Sequence, residues 1–196
     1  MGGLRSSAQM ISYELTLGLS ALSIILLTGS LSLVDMVKAQ ETVPFILIQP
    51  LAFLLFFIAG VAETNRAPFD LPEAEQELVA GFHTEYTGMK FAMFFMGEYA
   101  AMIAVSAMMV ILFLGGWTLP FAGLNEPATS LGMGLVQMGI FIGKLLLFMG
   151  LFIWIRWMLP RFRYDRLMDL GWKCFIPLAL ANIVVTAIYL FLTIPK

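Results

Sequence analysis

Five apolar runs, each near the length of a membrane span, constrain this chain more than any other feature. They cover residues 9–33, 44–62, 89–114, 131–158 and 174–192. About 20 consecutive apolar residues cross a bilayer as one helix, and a helix satisfies its own backbone N–H and C=O groups where no water can. The runs therefore describe an all-α integral membrane protein, a single membrane domain over residues 1–196 with about five transmembrane helices. Composition agrees: 60% of residues are hydrophobic and 12% charged, with a mean hydropathy of +0.91, against a charged fraction of about a quarter in soluble domains. The first run lacks the charged flank, short apolar core and small-residue cleavage site of a signal peptide, and is expected to stay as a span.

Local signals divide the runs. A polar turn with Asp35, Lys38 and Glu41 follows the first. Pro44 then opens the second, where a first-turn proline loses no helical hydrogen bond. Gly115 and Gly116 end the third, and a loop over 117–130 with two prolines leads to the fourth. An acidic loop at 63–88 and a basic loop at 159–173 make up the longer connections. Trp117 and Trp172 lie near span ends, where indole rings suit the interface.

Positive charge orients the chain. Arg5, Arg66, Lys90, Arg156, Arg161, Arg163, Arg166 and Lys173 fall on the side of residue 1, whereas Lys38 and Lys196 fall opposite. Excess lysine and arginine mark the cytoplasmic or matrix face. That face is expected to hold the N-terminus, the acidic loop and the basic loop. The basic run from Arg156 to Arg166 is accounted for by topology and lipid headgroups, and Asp165 and Asp169 are placed to pair with it.

Carboxylates supply the chemistry. Residues 62–99 carry seven of the thirteen acidic side chains, from an aqueous loop into the third span. Asp70, Pro72 and Glu73 have the pattern of a helix start, with acids offsetting the positive end of the helix dipole. Capping does not cover Glu75, Glu77 and Glu85. Glu73 and Glu77 share a helix face, a like-charge spacing that is destabilising unless a cation or proton intervenes. Simple solvation of all three is the plain alternative. Glu98 lies about nine residues, or some 13 Å at ~1.5 Å per residue, into its span. At that depth a carboxylate must be paired, hydrated or protonated, which is what a proton relay needs. Glu14 and Glu63 are shallower. Lys144, midway along the fourth span, either joins such a route or forms a fixed ion pair with Glu98.

Other chemistries find little support. A single cysteine, Cys174, permits no intrachain disulfide, and a single histidine, His83, is no basis for a metal or haem site. His83 is more simply a surface hydrogen-bonding group. Redox chemistry would need a cofactor on a partner or a diffusible molecule such as a quinone. Nothing resembles a phosphate loop, a catalytic triad or a nucleic-acid patch. The many methionine and phenylalanine residues are expected in packing and lipid contact.

The segments GLRSSAQMISYE, AETNRAPFDLPEAEQELVAGFHTEYTGMKFAMFFMGEY, the GGW after the third run and LPRFRYDRLMDLGWK resemble subunit 1 of respiratory complex I, the H subunit of the bacterial enzyme. The resemblance covers essentially the whole chain, and related membrane-bound hydrogenases and ferredoxin-linked complexes share a weaker version. It implies a membrane subunit of a proton-pumping NADH:quinone oxidoreductase, forming part of the quinone chamber and starting the proton path. By motif position, that path would be carried by Glu14, Glu63, Glu73, Glu75, Glu77, Glu85 and Glu98. Arg66, Pro68, Phe69 and Asp70 would lie in the loop facing the quinone cavity and the peripheral arm. The resemblance further implies quinone as substrate, and iron–sulfur clusters, flavin and NADH on partner subunits. Implied partners are the quinone-site and iron–sulfur subunits of the hydrophilic arm, antiporter-like and small membrane subunits, and the lipid bilayer, with a bacterial inner membrane favoured and a mitochondrial inner membrane the alternative.

Family members carry further helices upstream of the GGLRSSAQ segment, so the chain resembles the C-terminal part of the subunit. A separate chain supplying those helices would be an obligatory partner. The competing expectation is a membrane anchor of a related hydrogenase or ferredoxin-linked complex, whose acidic loop only docks a basic partner. A self-sufficient ion transporter is disfavoured, because no paired set of broken helices is evident.

Overall fold

The computed structural model describes residues 2–64, 69, 88–119, 130–158 and 164–193, with side chains over 7–64, 69, 88–119, 130–158 and 167–193. Eight α-helices follow one another among these residues: α1 (Gly2–Thr28), α2 (Leu33–Ala39), α3 (Phe45–Ile48), α4 (Pro50–Glu63), α5 (Met89–Phe113), α6 (Leu131–Met158), α7 (Tyr164–Leu170) and α8 (Ile176–Thr193). A π-helical turn, Gly171–Phe175, joins α7 to α8. The protein is an all-α integral membrane protein. Among the described residues four helical stretches are long and apolar enough to cross a bilayer: Ser7–Thr28, Met89–Phe113, Leu131–Met158 and Leu167–Thr193.

Three boundaries differ from the sequence expectation, the first two for a local reason. The first helix stops at Thr28 rather than near residue 33, because Gly29 takes φ 65° and its N–H closes on the Ile25 carbonyl at 2.8 Å. The chain then restarts as α2, whose N-cap Ser32 accepts from the Asp35 N–H. The second run, expected as one helix opened by Pro44, is broken. Pro44 caps the single turn of α3, and Pro50 begins α4. A proline disfavours helical backbone at the residue before it, and Gln49 accordingly sits at φ −130°, ψ 65°. The last run belongs to a longer helical stretch that already begins at Tyr164.

The break at Gln49 is stapled by side chains. Its Nε2 donates to Thr186 Oγ1 at 2.7 Å, its Oε1 accepts from Asn182 Nδ2 at 3.2 Å, and the Thr186 hydroxyl donates to the Asn182 carbonyl at 2.7 Å. Nearby, buried Gln40 ties three elements together. Its amide donates to the Met36 and Ile111 carbonyls at 3.1 and 2.9 Å and accepts from the Phe45 N–H at 3.3 Å. Non-helical backbone at membrane depth persists only where such partners are at hand.

Packing follows residue size. Helix α1 lies against α4 and α8, and α5 lies against α6. Phenylalanines fill the seam of α4, α5 and α6: Phe53 and Phe56 meet Phe113 at ring-centroid distances of 5.5 and 5.6 Å, and Phe57 meets Phe152 at 5.6 Å. Edge and tilted contacts of this kind add about 0.5–1.5 kcal/mol each beyond burial. Gly60 lets α4 approach α5 closely, since a Cβ there would stand 2.5 Å from Val105 Cγ1. Large apolar side chains remain exposed on the outer faces, including Trp154, Trp157, Val185 and Phe191. In a bilayer such faces suit lipid or neighbouring helices.

Candidate functional site

Helix α1 carries a polar stripe through an otherwise apolar run. Gln9, Ser12, Thr16, Ser20 and Ser23 recur at helical spacing, and each is at most 1% exposed. The Ser12, Thr16 and Ser20 hydroxyls donate to carbonyls one turn back, at 2.9, 3.4 and 2.8 Å. That satisfies the donors internally and lets polar residues face neighbouring helices.

At the start of this stripe the chain gathers its candidate site. Gln9 Nε2 donates to the Ala62 carbonyl at 2.9 Å and to the Phe69 carbonyl at 3.0 Å, fastening α1 to the end of α4 and to the acidic loop. Tyr13, fully buried, donates from its hydroxyl to the Leu167 carbonyl at 3.1 Å. Its ring contacts Phe69 and Phe175 at centroid distances of 5.8 and 6.1 Å. Two stretches distant in sequence, 62–69 and 167–175, thus converge on one turn of α1.

Two carboxylates stand there. Glu63 ends α4, and the neighbouring Glu14 is close enough for the two to repel. The Glu63 Oε2 atom and the Gln9 Oε1 atom are buried with no hydrogen-bond partner among the described residues. A buried acceptor of this kind needs a hydrogen-bond donor or water, and the carboxylate can instead take a proton. Glu14 itself is exposed and lines an open groove with Ile11, Leu15, Gly18 and Leu19.

The remaining expected residues divide as follows. Phe69 is buried inside the cluster. Glu98 is half-buried on α5. Arg66, Pro68, Asp70, Glu73, Glu75, Glu77 and Glu85 lie outside the described residues. Lys144 stands apart from the carboxylates of the described residues. Its Nζ donates to the carbonyls of Leu114, Gly116 and Thr118 at 2.7, 3.0 and 2.6 Å. The Glu98–Lys144 ion pair that the sequence allows is therefore not formed: Glu98 lies about 24 Å from Leu114 along α5, at ~1.5 Å per residue. Among the described residues no three His, Cys, Asp or Glu side chains group to hold a metal. Sequence reasoning misses Gln9 and Tyr13 as site residues, although the spacing of polar residues through the first run is a signal for the first of them.

Helices long and apolar enough to cross a membrane, with carboxylates and buried polar groups gathered where α1 and α4 meet, define an all-α integral membrane protein with an acidic site at a helix end. The chain belongs to the NADH dehydrogenase family, whose model matches residues 1–187. It is 50% identical over 189 residues to the H subunit of the NADH-quinone oxidoreductase of Protochlamydia amoebophila, covering 96% of this chain and 54% of that protein. It is 52% identical over 189 residues to the H subunit of the Rhodospirillum centenum enzyme, covering 95% and 54%. Against the corresponding protein of Paramagnetospirillum magneticum it is 53% identical over 187 residues, covering 95% and 53%. The chain thus spans about half the length of these relatives.

Proposed function

We propose that this chain is a membrane subunit of a proton-translocating NADH:quinone oxidoreductase, forming part of the quinone chamber and the first section of the acidic proton path. The observation that carries this reading is the Glu63 carboxylate, with one oxygen buried and without a hydrogen-bond partner among the described residues beside Glu14, at the foot of the loop that Gln9 and Tyr13 hold through Phe69. Such a group responds to a change of nearby charge by taking up or releasing a proton. The names of the relatives supply the reaction class.

The loop bearing Arg66, Pro68, Phe69 and Asp70 faces the quinone cavity and the peripheral arm, on the cytoplasmic side by the distribution of positive charge. Electrons arriving from iron–sulfur clusters on partner subunits reduce the quinone there. A single cysteine leaves this chain without a ligand set for such a cluster. The charge change shifts proton occupancy on Glu73, Glu75, Glu77 and Glu85, and protons are redistributed through Glu63, Glu14 and Glu98 toward antiporter-like subunits. Lys144 enters this scheme as the positive group at the far end of the helix that carries Glu98.

Purification from the native membrane in mild detergent, with mass spectrometry of everything retained, tests the assignment. Recovery of iron–sulfur and antiporter-like subunits is expected. Recovery of a hydrogenase-type arm alone would transfer the chain to an anchor role in a related complex.

A further inference from the structure

The end of α5 forms another unusual polar site among the described residues. Lys144 lies midway along α6, so the carbonyls it meets end α5 beside the middle of its neighbour. The last carbonyls of any helix lack intrahelical donors, and hydrocarbon offers no water to replace them. Here the chain turns sharply. Gly115 and Gly116 take φ 69° and 55°, and the Leu114 and Gly116 N–H groups both close on the Val110 carbonyl, at 3.1 and 2.9 Å. Thr118 closes the turn with its N–H and hydroxyl on the Gly115 carbonyl, at 2.9 and 2.8 Å. This leaves the Leu114, Gly116 and Thr118 oxygens converging on one point, which the Lys144 Nζ occupies.

The match is stoichiometric. An ammonium has three N–H donors and no acceptor, whereas a neutral amine has two donors and would aim its lone pair at a carbonyl oxygen. Three oxygens at 2.6–3.0 Å therefore select the charged form. The negative end of the helix dipole favours the same choice, as where broken membrane helices hold cations at their C-terminal ends. The turn lies close against α2: a Cβ on Gly116 would stand 2.9 Å from Val37 Cγ2.

We propose that Lys144 is a fixed-charge positioning residue: its ammonium fills a cradle of three carbonyls and pins the end of the Glu98-bearing helix, and it carries no proton of the translocation path. The clamp follows from geometry alone; its effect on pumping rests on the function proposed above.

Amide hydrogen exchange over residues 110–118, read together with quinone-linked proton pumping in the purified native assembly, tests it. Lys144→Met should speed exchange at Leu114, Gly116 and Thr118 by about tenfold or more, since it leaves three oxygens without a donor, and should depress pumping. Lys144→Arg, which keeps the charge and cannot release a proton, should retain pumping. Unchanged exchange in Lys144→Met overturns the clamp. Native exchange in Lys144→Arg with pumping abolished overturns the fixed charge in favour of a proton-carrying lysine. If Lys144→Arg does not assemble, exchange in Lys144→Met decides alone. Glu98→Gln, measured alongside, separates the two readings: if it pumps normally while Lys144→Met exchanges fast, the clamp stands and the proton path fails.

Discussion

The side-chain amide of Gln9 donates to the backbone carbonyl of Phe69 across 3.0 Å, joining the start of the first helix to the acidic loop. The same nitrogen also holds the Ala62 carbonyl, so one side chain sets where the loop leaves α4. Replacing Gln9 with Leu removes both bonds and leaves two carbonyls without their donor. A loss of about 1–3 kcal/mol is expected for each acceptor that stays buried. Limited proteolysis should then cut the loop over residues 65–87 faster than in the parent chain.

Tyr13 couples that loop to the last helical stretch. Tyr13→Phe keeps the ring contacts with Phe69 and Phe175 but loses the hydroxyl's hydrogen bond to the Leu167 carbonyl, at a cost of about 0.5–1.5 kcal/mol. Tyr13→Ala also opens a cavity, for about 3–5 kcal/mol. Detergent-induced unfolding of the chain in micelles should rank the two in that order.

Gly60 sets the distance between α4 and α5. In Gly60→Ala the new methyl meets Val105 Cγ1 at 2.5 Å, so a helix or a side chain must shift, at about 1–3 kcal/mol. Val105→Ala in the same chain should recover much of that loss. A double-mutant cycle measures the coupling, and additive effects would show that the two residues do not meet.

The staple across the break at Gln49 makes a weaker prediction. Gln49→Leu removes two side-chain hydrogen bonds while Thr186 keeps its bond to the Asn182 carbonyl. Polar contacts between membrane helices contribute about 0.6–2 kcal/mol. The unfolding midpoint should fall by an amount in that range.

Much of this arrangement is legible in the sequence. Runs of apolar residues reveal membrane helices because hydrocarbon leaves the backbone no other partner. The carboxylates stand out because charge is scarce in such a chain. What escapes is whatever depends on how helices meet. Gln49 looks like an ordinary residue inside a span, yet Pro50 behind it breaks the helix, and the partners that make the break tolerable lie far along the chain at Asn182 and Thr186. Lys144 announces itself as a charge in lipid, and a carboxylate is the obvious partner to imagine. Its real partners are backbone carbonyls freed by a glycine turn, which no residue-type pattern displays.

Proton pumping by the purified assembly carrying Glu63→Gln, measured in vesicles together with quinone reduction and subunit composition, tests the central claim most directly. The substitution keeps the side-chain volume and removes the titrating group. With all subunits present, quinone-linked pumping should fall severalfold. Unchanged pumping at unchanged quinone turnover would contradict an acidic path through this carboxylate.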